Sequence, residues 1–211
     1  MTADRLKPLD LPIRQYAEIR TEIRTGDLLL CAGSSVMSRM IQRATASPWS
    51  HIALIVRIDS IDRVMVLESV ESIGVRAVPL SHYIHDYDGS GRGYPGRIVI
   101  ARHERFASLP PGRVCGFGQV AADLLGRRYD SAEILRVAAR ILHSEWRLEP
   151  ADSAHPVELR RDRSFICSEY VWECFRAAGI AVAPNPRGFI APRDFAADPA
   201  VKGLAEVAIA T

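Results

Sequence analysis

A single mixed α+β domain, with an antiparallel sheet or small barrel packed against helices, is the fold class this sequence predicts, and three observations carry the prediction. The 211 residues leave room for one ordinary domain. Four β-branched-rich runs lie between residues 51 and 102, the first three joined by polar turns. Helical patterns stand before and after that block. With 48% hydrophobic and 25% charged residues the chain matches a globular average, so disorder, collagen-like and coiled-coil organisation are excluded. No internal repeat or linker divides it, and residues 1–211 are read as one domain.

From about residue 12 to 24 an N-terminal helix is expected, with Ile13, Tyr16, Ala17 and Ile23 near one side, Arg and Glu on the other, and Thr25-Gly26 closing it. Asp27 to Ala32 (DLLLCA) reads as a short apolar strand. Ser34 or Ser35 then caps a helix running to about Ala46, which Ser47-Pro48 ends. His51 to Ile58, Arg63 to Val70, Ile73 to Pro79 and Arg97 to Arg102 are expected to form an antiparallel meander. The glycine-rich stretch Asp88 to Gly96 precedes a strand rather than a helix, so it reads as a flexible loop and not as a phosphate cradle. Helices follow over Val114 to Leu125 and Ser131 to Leu142, then a polar stretch from His143 to Arg163, and a helix from Ser164 to Ala178 closed by Gly179. The proline-rich tail, about 183–211, is expected to wrap the surface.

Charge and composition narrow the function. Twenty-seven basic against 25 acidic residues give a net charge of +2, too little for a nucleic-acid footprint. The basic residues between Arg5 and Arg24 are interrupted by Asp10, Glu18 and Glu22, as on a solvated helix face. The longest apolar runs, such as Ile52 to Val56, have strand length, so no transmembrane segment is expected. The start MTADRLKPLDLP lacks the apolar stretch of a signal peptide, which predicts a cytoplasmic protein unless a leader has been removed. Cys31, Cys115, Cys167 and Cys174 are widely spread without a CxxC pair, and no Cys/His spacing matches zinc. Neither a metal nor another cofactor is expected.

Cys167 falls in the first turn of its helix, three residues after the candidate cap Ser164. Unsatisfied N–H groups and the helix dipole there favour a thiolate, the form that attacks carbonyl carbon. Cys174 and Cys31 read as packing, and Cys115 has no evident activating partner. His51 opens an apolar strand directly after SPWS, and Glu68 interrupts the apolar run VMVLESV. A buried carboxylate needs a partner, and His51 is the natural one. A two-residue turn at Asp59-Ser60 would set the two face to face, with Cβ atoms about 4.5 to 5.5 Å apart. Lengthening the turn by two residues would make them diagonal neighbours on the same face, whereas an odd insertion would put them on opposite faces. In the alternative reading, Glu68 ends its strand in solvent and His51 is a half-buried edge residue.

Four segments, GDLLL at Gly26 to Leu30, SPWSHIALIV around His51, VLESVESIGVRAVPL with Glu68, and FICSEYVWECF around Cys167, together resemble one group. The chain is similar to the circularly permuted papain-like enzymes of the NlpC superfamily, especially the YiiX/YaeF-like amidase and peptidase branch. The order of histidine strand, carboxylate strand and cysteine helix carries the resemblance. It implies a circularly permuted papain-like fold, with Cys167 as nucleophile, His51 as base and Glu68 as orienting residue. Tyr170, one turn beyond Cys167, either lines the same cleft or is a core tyrosine. The implied activity is hydrolysis of an amide bond in a peptide, a peptidoglycan-like fragment or an N-acylated small molecule, through a thioester. Two alternatives stand beside it. One is lipid acyl transfer or thioesterase activity of the lecithin-retinol acyltransferase type, although Ile166 replaces the asparagine that precedes that group's cysteine. The other is a binding module without catalysis.

Overall fold

A computed structural model of the chain describes residues 11–129, 166–185 and 188–209. The expected helix Ser131 to Leu142, the stretch His143 to Arg163 and the candidate cap Ser164 lie outside the described residues. The fold is mixed α+β, built on one seven-stranded sheet with helices packed against it. Its strands are β1 (Ile13–Arg14), β2 (Asp27–Gly33), β3 (His51–Ile58), β4 (Arg63–Val70), β5 (Gly74–Pro79), β6 (Gly96–His103) and β7 (Val201–Val207). The helices are α1 (Tyr16–Ile19), α2 (Val36–Thr45), α3 (Leu80–His85), α4 (Pro111–Asp123), α5 (Cys167–Ala177) and α6 (Pro192–Ala197).

The sheet order is β1-β7-β6-β2-β3-β4-β5, an open sheet rather than a closed small barrel. Every pairing is antiparallel except the two-residue pairing of β1 with β7. Strands β3, β4 and β5 form the expected meander. The fourth run, β6, does not join its edge; it crosses back to lie between β2 and β7. Alternation along the central strands divides the core between the two faces. Leu28, Leu30, Ile52 and Leu54 pack with Phe117 of α4, Tyr170, Val171 and Phe175 of α5, and Phe195 of α6. Leu29, Ala53, Ile55, Val64 and Val66 face Ile19, Ile23 and the Leu80, Tyr83 and Ile84 side of α3.

Both chain ends differ from expectation. The helix expected at 12–24 is the single turn α1, because residues 12–14 are extended to pair with β7: Glu206 N–H donates to the Pro12 carbonyl at 3.0 Å and Ala208 N–H to that of Arg14 at 2.9 Å. The tail expected to wrap the surface supplies α6 and then β7, which lies within the sheet between β1 and β6. The glycine-rich stretch is tied down by Tyr94 N–H to the Tyr83 carbonyl at 2.8 Å and Tyr87 N–H to that of Arg92 at 2.7 Å. Among the described residues, no helix is long and apolar enough to cross a membrane.

Gly74, where β5 begins, has φ +89°, and a Cβ there would lie 2.1 Å from the Arg127 carbonyl oxygen. That same oxygen accepts from Val75 N–H at 2.8 Å, while Gly126 N–H donates to the Val75 carbonyl at 2.9 Å. The close approach docks the chain after α4 on the start of β5. Gly74→Ala is expected to cost about 2 kcal/mol or more, from the left-handed backbone and the clash together. Calorimetry of the two proteins checks this, and an unchanged unfolding midpoint would contradict it.

Candidate active site

The loop before β3 is held at several points, and these set where His51 stands. The Gln42 side-chain amide of α2 donates to the carbonyls of Gly33, 3.0 Å, and Pro48, 2.9 Å. Ser50 accepts from Gly33 N–H through Oγ at 3.0 Å, and its own N–H donates to the Cys31 carbonyl at 2.9 Å. His51 is therefore delivered at the first position of β3, paired with Cys31 of β2 and with its side chain 18% exposed.

The hairpin between β3 and β4 turns over four residues. Asp59 to Ile61 form a 3-10 turn, Asp62 adopts a left-handed conformation, and Ile58 pairs with Arg63. The turn is longer than Asp59-Ser60 by two residues, which preserves the face. His51 and Glu68 become diagonal neighbours, and His51 Nε2 lies 2.7 Å from Glu68 Oε2. The solvent-end reading of Glu68 is overturned, since this residue is fully buried. Two further groups hold its carboxylate. Arg76, directly opposite on β5, donates from Nε to Oε1 at 2.9 Å, and the Tyr83 hydroxyl of α3 donates to Oε2. Arg76 also reaches Asp88 Oδ1 at 3.1 Å.

The helix carrying Cys167 starts at that residue, later than Ser164 would have started it. Ile166 is the N-cap, and its N–H donates to Glu169 Oε2 at 3.2 Å. As the first helical residue, Cys167 has a backbone N–H without an intrahelical acceptor, in a terminus that favours negative charge. Ser168 anchors this end through a 2.7 Å hydrogen bond from Oγ to the Ile190 carbonyl. The Cys167 side chain is close enough to His51 for its charge to raise the imidazole pKa, and the residue is only 6% exposed. With Nε2 at Glu68, Nδ1 is the ring nitrogen that remains for the sulfur.

The electrostatics follow from this packing. Burial by itself pulls the His51 pKa down, but the charge and hydrogen bond of Cys167, together with those of Glu68, outweigh it and raise the value to about 10. Burial also opposes ionisation of Glu68, yet His51, Tyr83 and Arg76 hold its carboxyl below the ordinary range. The Tyr83 hydroxyl is pushed well above its usual range by burial and then by the Glu68 charge, so it stays protonated and donates.

Cys167, His51 and Glu68 are thus brought together. Tyr170 is not at the cleft: it is fully buried and its hydroxyl donates to the Ala121 carbonyl at 3.0 Å, tying α5 to α4. Burial raises the pKa of Cys31 and Cys174, in keeping with packing roles, and Cys115 is exposed. Sequence reasoning missed Arg76 and Tyr83. The register logic used for His51, continued across the β4–β5 turn, would have found Arg76; Tyr83 carried no local signal. A cleft of about 370 Å³ among Arg24, Arg57, Arg102 and Phe106 lies at the other end of these strands and includes none of the three residues.

No protein-family model and no curated protein matches the chain. Among solved structures, the crystal structure of the metalloprotein YiiX from Escherichia coli O157:H7, DUF1105, is similar with a TM-score of 0.57 and 22% identity. The match covers 87% of this chain and 97% of that one. Among the described residues here, no three His, Cys, Asp or Glu side chains are grouped to hold a metal ion, and Glu68 already spends its oxygens on three protein donors. The donor set does not fit a metal centre. The likeness to YiiX is one of fold, which in this chain is a mixed α+β domain on a seven-stranded sheet.

Proposed function

We propose that this protein is a cysteine hydrolase of the permuted papain-like kind, cleaving an amide bond through a thioester. The observation that carries the reading is the 2.7 Å contact of His51 Nε2 with the buried Glu68 carboxylate, on an imidazole whose pKa the charge of the helix-terminal Cys167 also raises. Nothing in a purely structural role calls for a sulfur, an imidazole and a buried acid in series. The order of these residues along the chain, which resembles that of the permuted papain-like enzymes, points the same way.

In this mechanism the sulfur attacks the amide carbonyl carbon, and the thiol proton resides on His51 Nδ1. The carbonyl oxygen takes up negative charge near the Cys167 N–H. Collapse breaks the C–N bond, and His51 passes its proton to the departing amine, leaving an acyl thioester on Cys167. Water then attacks that thioester with His51 accepting its proton. The C–S bond breaks, the acid leaves, and the thiol is restored. Glu68 orients the ring and stabilises the imidazolium in both halves. The substrate class is a peptide, a cell-wall-like fragment or an N-acylated small molecule.

Cys167 should react with iodoacetamide near neutral pH at least roughly tenfold faster than Cys115, although Cys115 is exposed and Cys167 is not. His51→Ala should erase that advantage, and p-nitrophenyl acetate should leave an acetyl group on Cys167 alone. Peptide mass mapping reads both; labelling that simply follows exposure would sink the hydrolase reading.

Reaction with iodoacetate, which senses the imidazolium beside the sulfur, should fall as pH rises through about 10, where His51 loses its proton. Glu68→Gln removes a charge that raises the His51 pKa, so this alkaline limb should move down toward the ordinary histidine value of 6.5. A limb that stays in place would detach Glu68 from the site.

A further inference from the structure

We propose that Tyr83 is a positioning residue of this site: by sharing Glu68 Oε2 with the His51 ring, its hydroxyl keeps the neutral imidazole in the tautomer that has its proton on Nε2 and offers Nδ1 to Cys167. The inference rests on the hydrolase reading for its catalytic meaning, but its structural content stands apart from it.

The argument begins with donors and acceptors. Glu68 is fully buried, with Oε1 accepting from Arg76 Nε at 2.9 Å and Oε2 accepting from Tyr83 and facing His51 Nε2 at 2.7 Å. Arginine has no acceptor, and a phenol held protonated by burial offers its hydrogen. With both neighbours donating, the carboxylate remains an acceptor, and the imidazole nitrogen facing it must carry a proton. Without the tyrosine hydroxyl, Oε2 would lose the contact that fixes its direction. The carboxylate could then turn toward the Arg76 fork and release the ring to either tautomer.

Tyr83 is built to stay where it is. Its side chain is 1% exposed, between Leu80 and Ile84 on the same short helix. Its ring meets Tyr87 edge-on at 5.1 Å and Tyr94 at 5.5 Å, while the Tyr94 N–H donates to its carbonyl at 2.8 Å. Among the described residues, the titratable groups that interact with Glu68 and His51 are Cys31 on β2, Arg76 on β5, Tyr83 on α3, Tyr87 and Tyr94 beyond it, and Cys167 on α5, with Asp88 acting through Arg76. Of the three tyrosines, Tyr83 makes the hydrogen bond to Glu68.

The test uses Tyr83→Phe, which removes the hydroxyl and keeps the ring, with Tyr87→Phe as the control from the same cluster. In a Cys167→Ala background, where the sulfur no longer raises the His51 pKa, ¹⁵N spectra of the neutral ring should show Nε2–H alone, and Tyr83→Phe should turn this into a mixture. With the sulfur present, Tyr83→Phe should slow iodoacetamide labelling of Cys167 roughly tenfold. Tyr87→Phe should change neither. An unaltered tautomer in folded Tyr83→Phe would overturn the proposal. Should that variant not fold, an NMR cross-peak between the Tyr83 hydroxyl proton and the His51 Nε2 proton of the otherwise unaltered protein decides, since both point at one oxygen; its absence also overturns the proposal. A Cys167 no faster than Cys115 in the parent protein would refute the hydrolase reading while leaving the tautomer result to stand or fall by itself.

Discussion

The charge on Glu68 is the constraint around which this fold is arranged. A carboxylate removed entirely from water carries a penalty of several kcal/mol, and only close donors make its ionised form tolerable. Here they arrive from three separate elements, His51 from β3, Arg76 from β5 and Tyr83 from α3. None of the three is near Glu68 until the β3–β4–β5 meander has paired in register and α3 has folded back over its face. The acid is consequently satisfied only in the native arrangement, and a loosened meander would expose the site and unpair the charge together. Asp88 extends the chain of charges outward through Arg76, so the polar line runs from the surface to the imidazole.

A second constraint is that the site joins the two sides of the sheet. By strand alternation, Glu68 shares the face of Val64 and Val66, which α3 covers, whereas Cys167 belongs to the core on the opposite face with α4 and α6. They meet because His51 stands at the very start of β3, where the β3–β4 pairing, which runs from Ile58–Arg63 to Leu54–Leu67, has already ended. A histidine in mid-strand would have neighbours on one face alone. The hold of Gln42 and Ser50 on the SPWS loop thus serves the site as much as the fold, since a small shift there would carry the ring away from the sulfur.

Much of this was legible in the sequence, and the reasons differ by element. The strands His51–Ile58 and Arg63–Val70 could be read to the residue because β-branched runs bounded by polar turns leave few other choices. The pairing of His51 with Glu68 was legible through parity, because the real turn is longer than the assumed one by two residues, which shifts the partner but not the face. The chain ends were not legible. Val201–Val207 contains Gly203 and Ala205, both of weak strand preference, and it becomes a strand because β6 and β1 offer partners on either side. The stretch near Ile13 shows a helical pattern that the pairing with β7 overrides. Tyr170 could not be placed because helical spacing from Cys167 does not say whether a tyrosine meets a cleft or another helix.

What separates the proposed enzyme from a structural polar core is direction. A buried ion network that served stability alone would be satisfied by any closed set of partners, and replacing it with apolar side chains of similar volume is often neutral or stabilising. The network here is not closed. It converges from Asp88, Arg76 and Tyr83 on Glu68, continues to His51, and ends at a sulfur beside a helix terminus whose N–H groups still lack acceptors within the helix. Each member farther along the line is held by the one before it, and the last is the only one able to form a bond to carbon under mild conditions. An arrangement that spends two donors, Arg76 and Tyr83, on the carboxylate that orients one imidazole fits the proposed chemistry at the thiol, and stability by itself would not require the final two members.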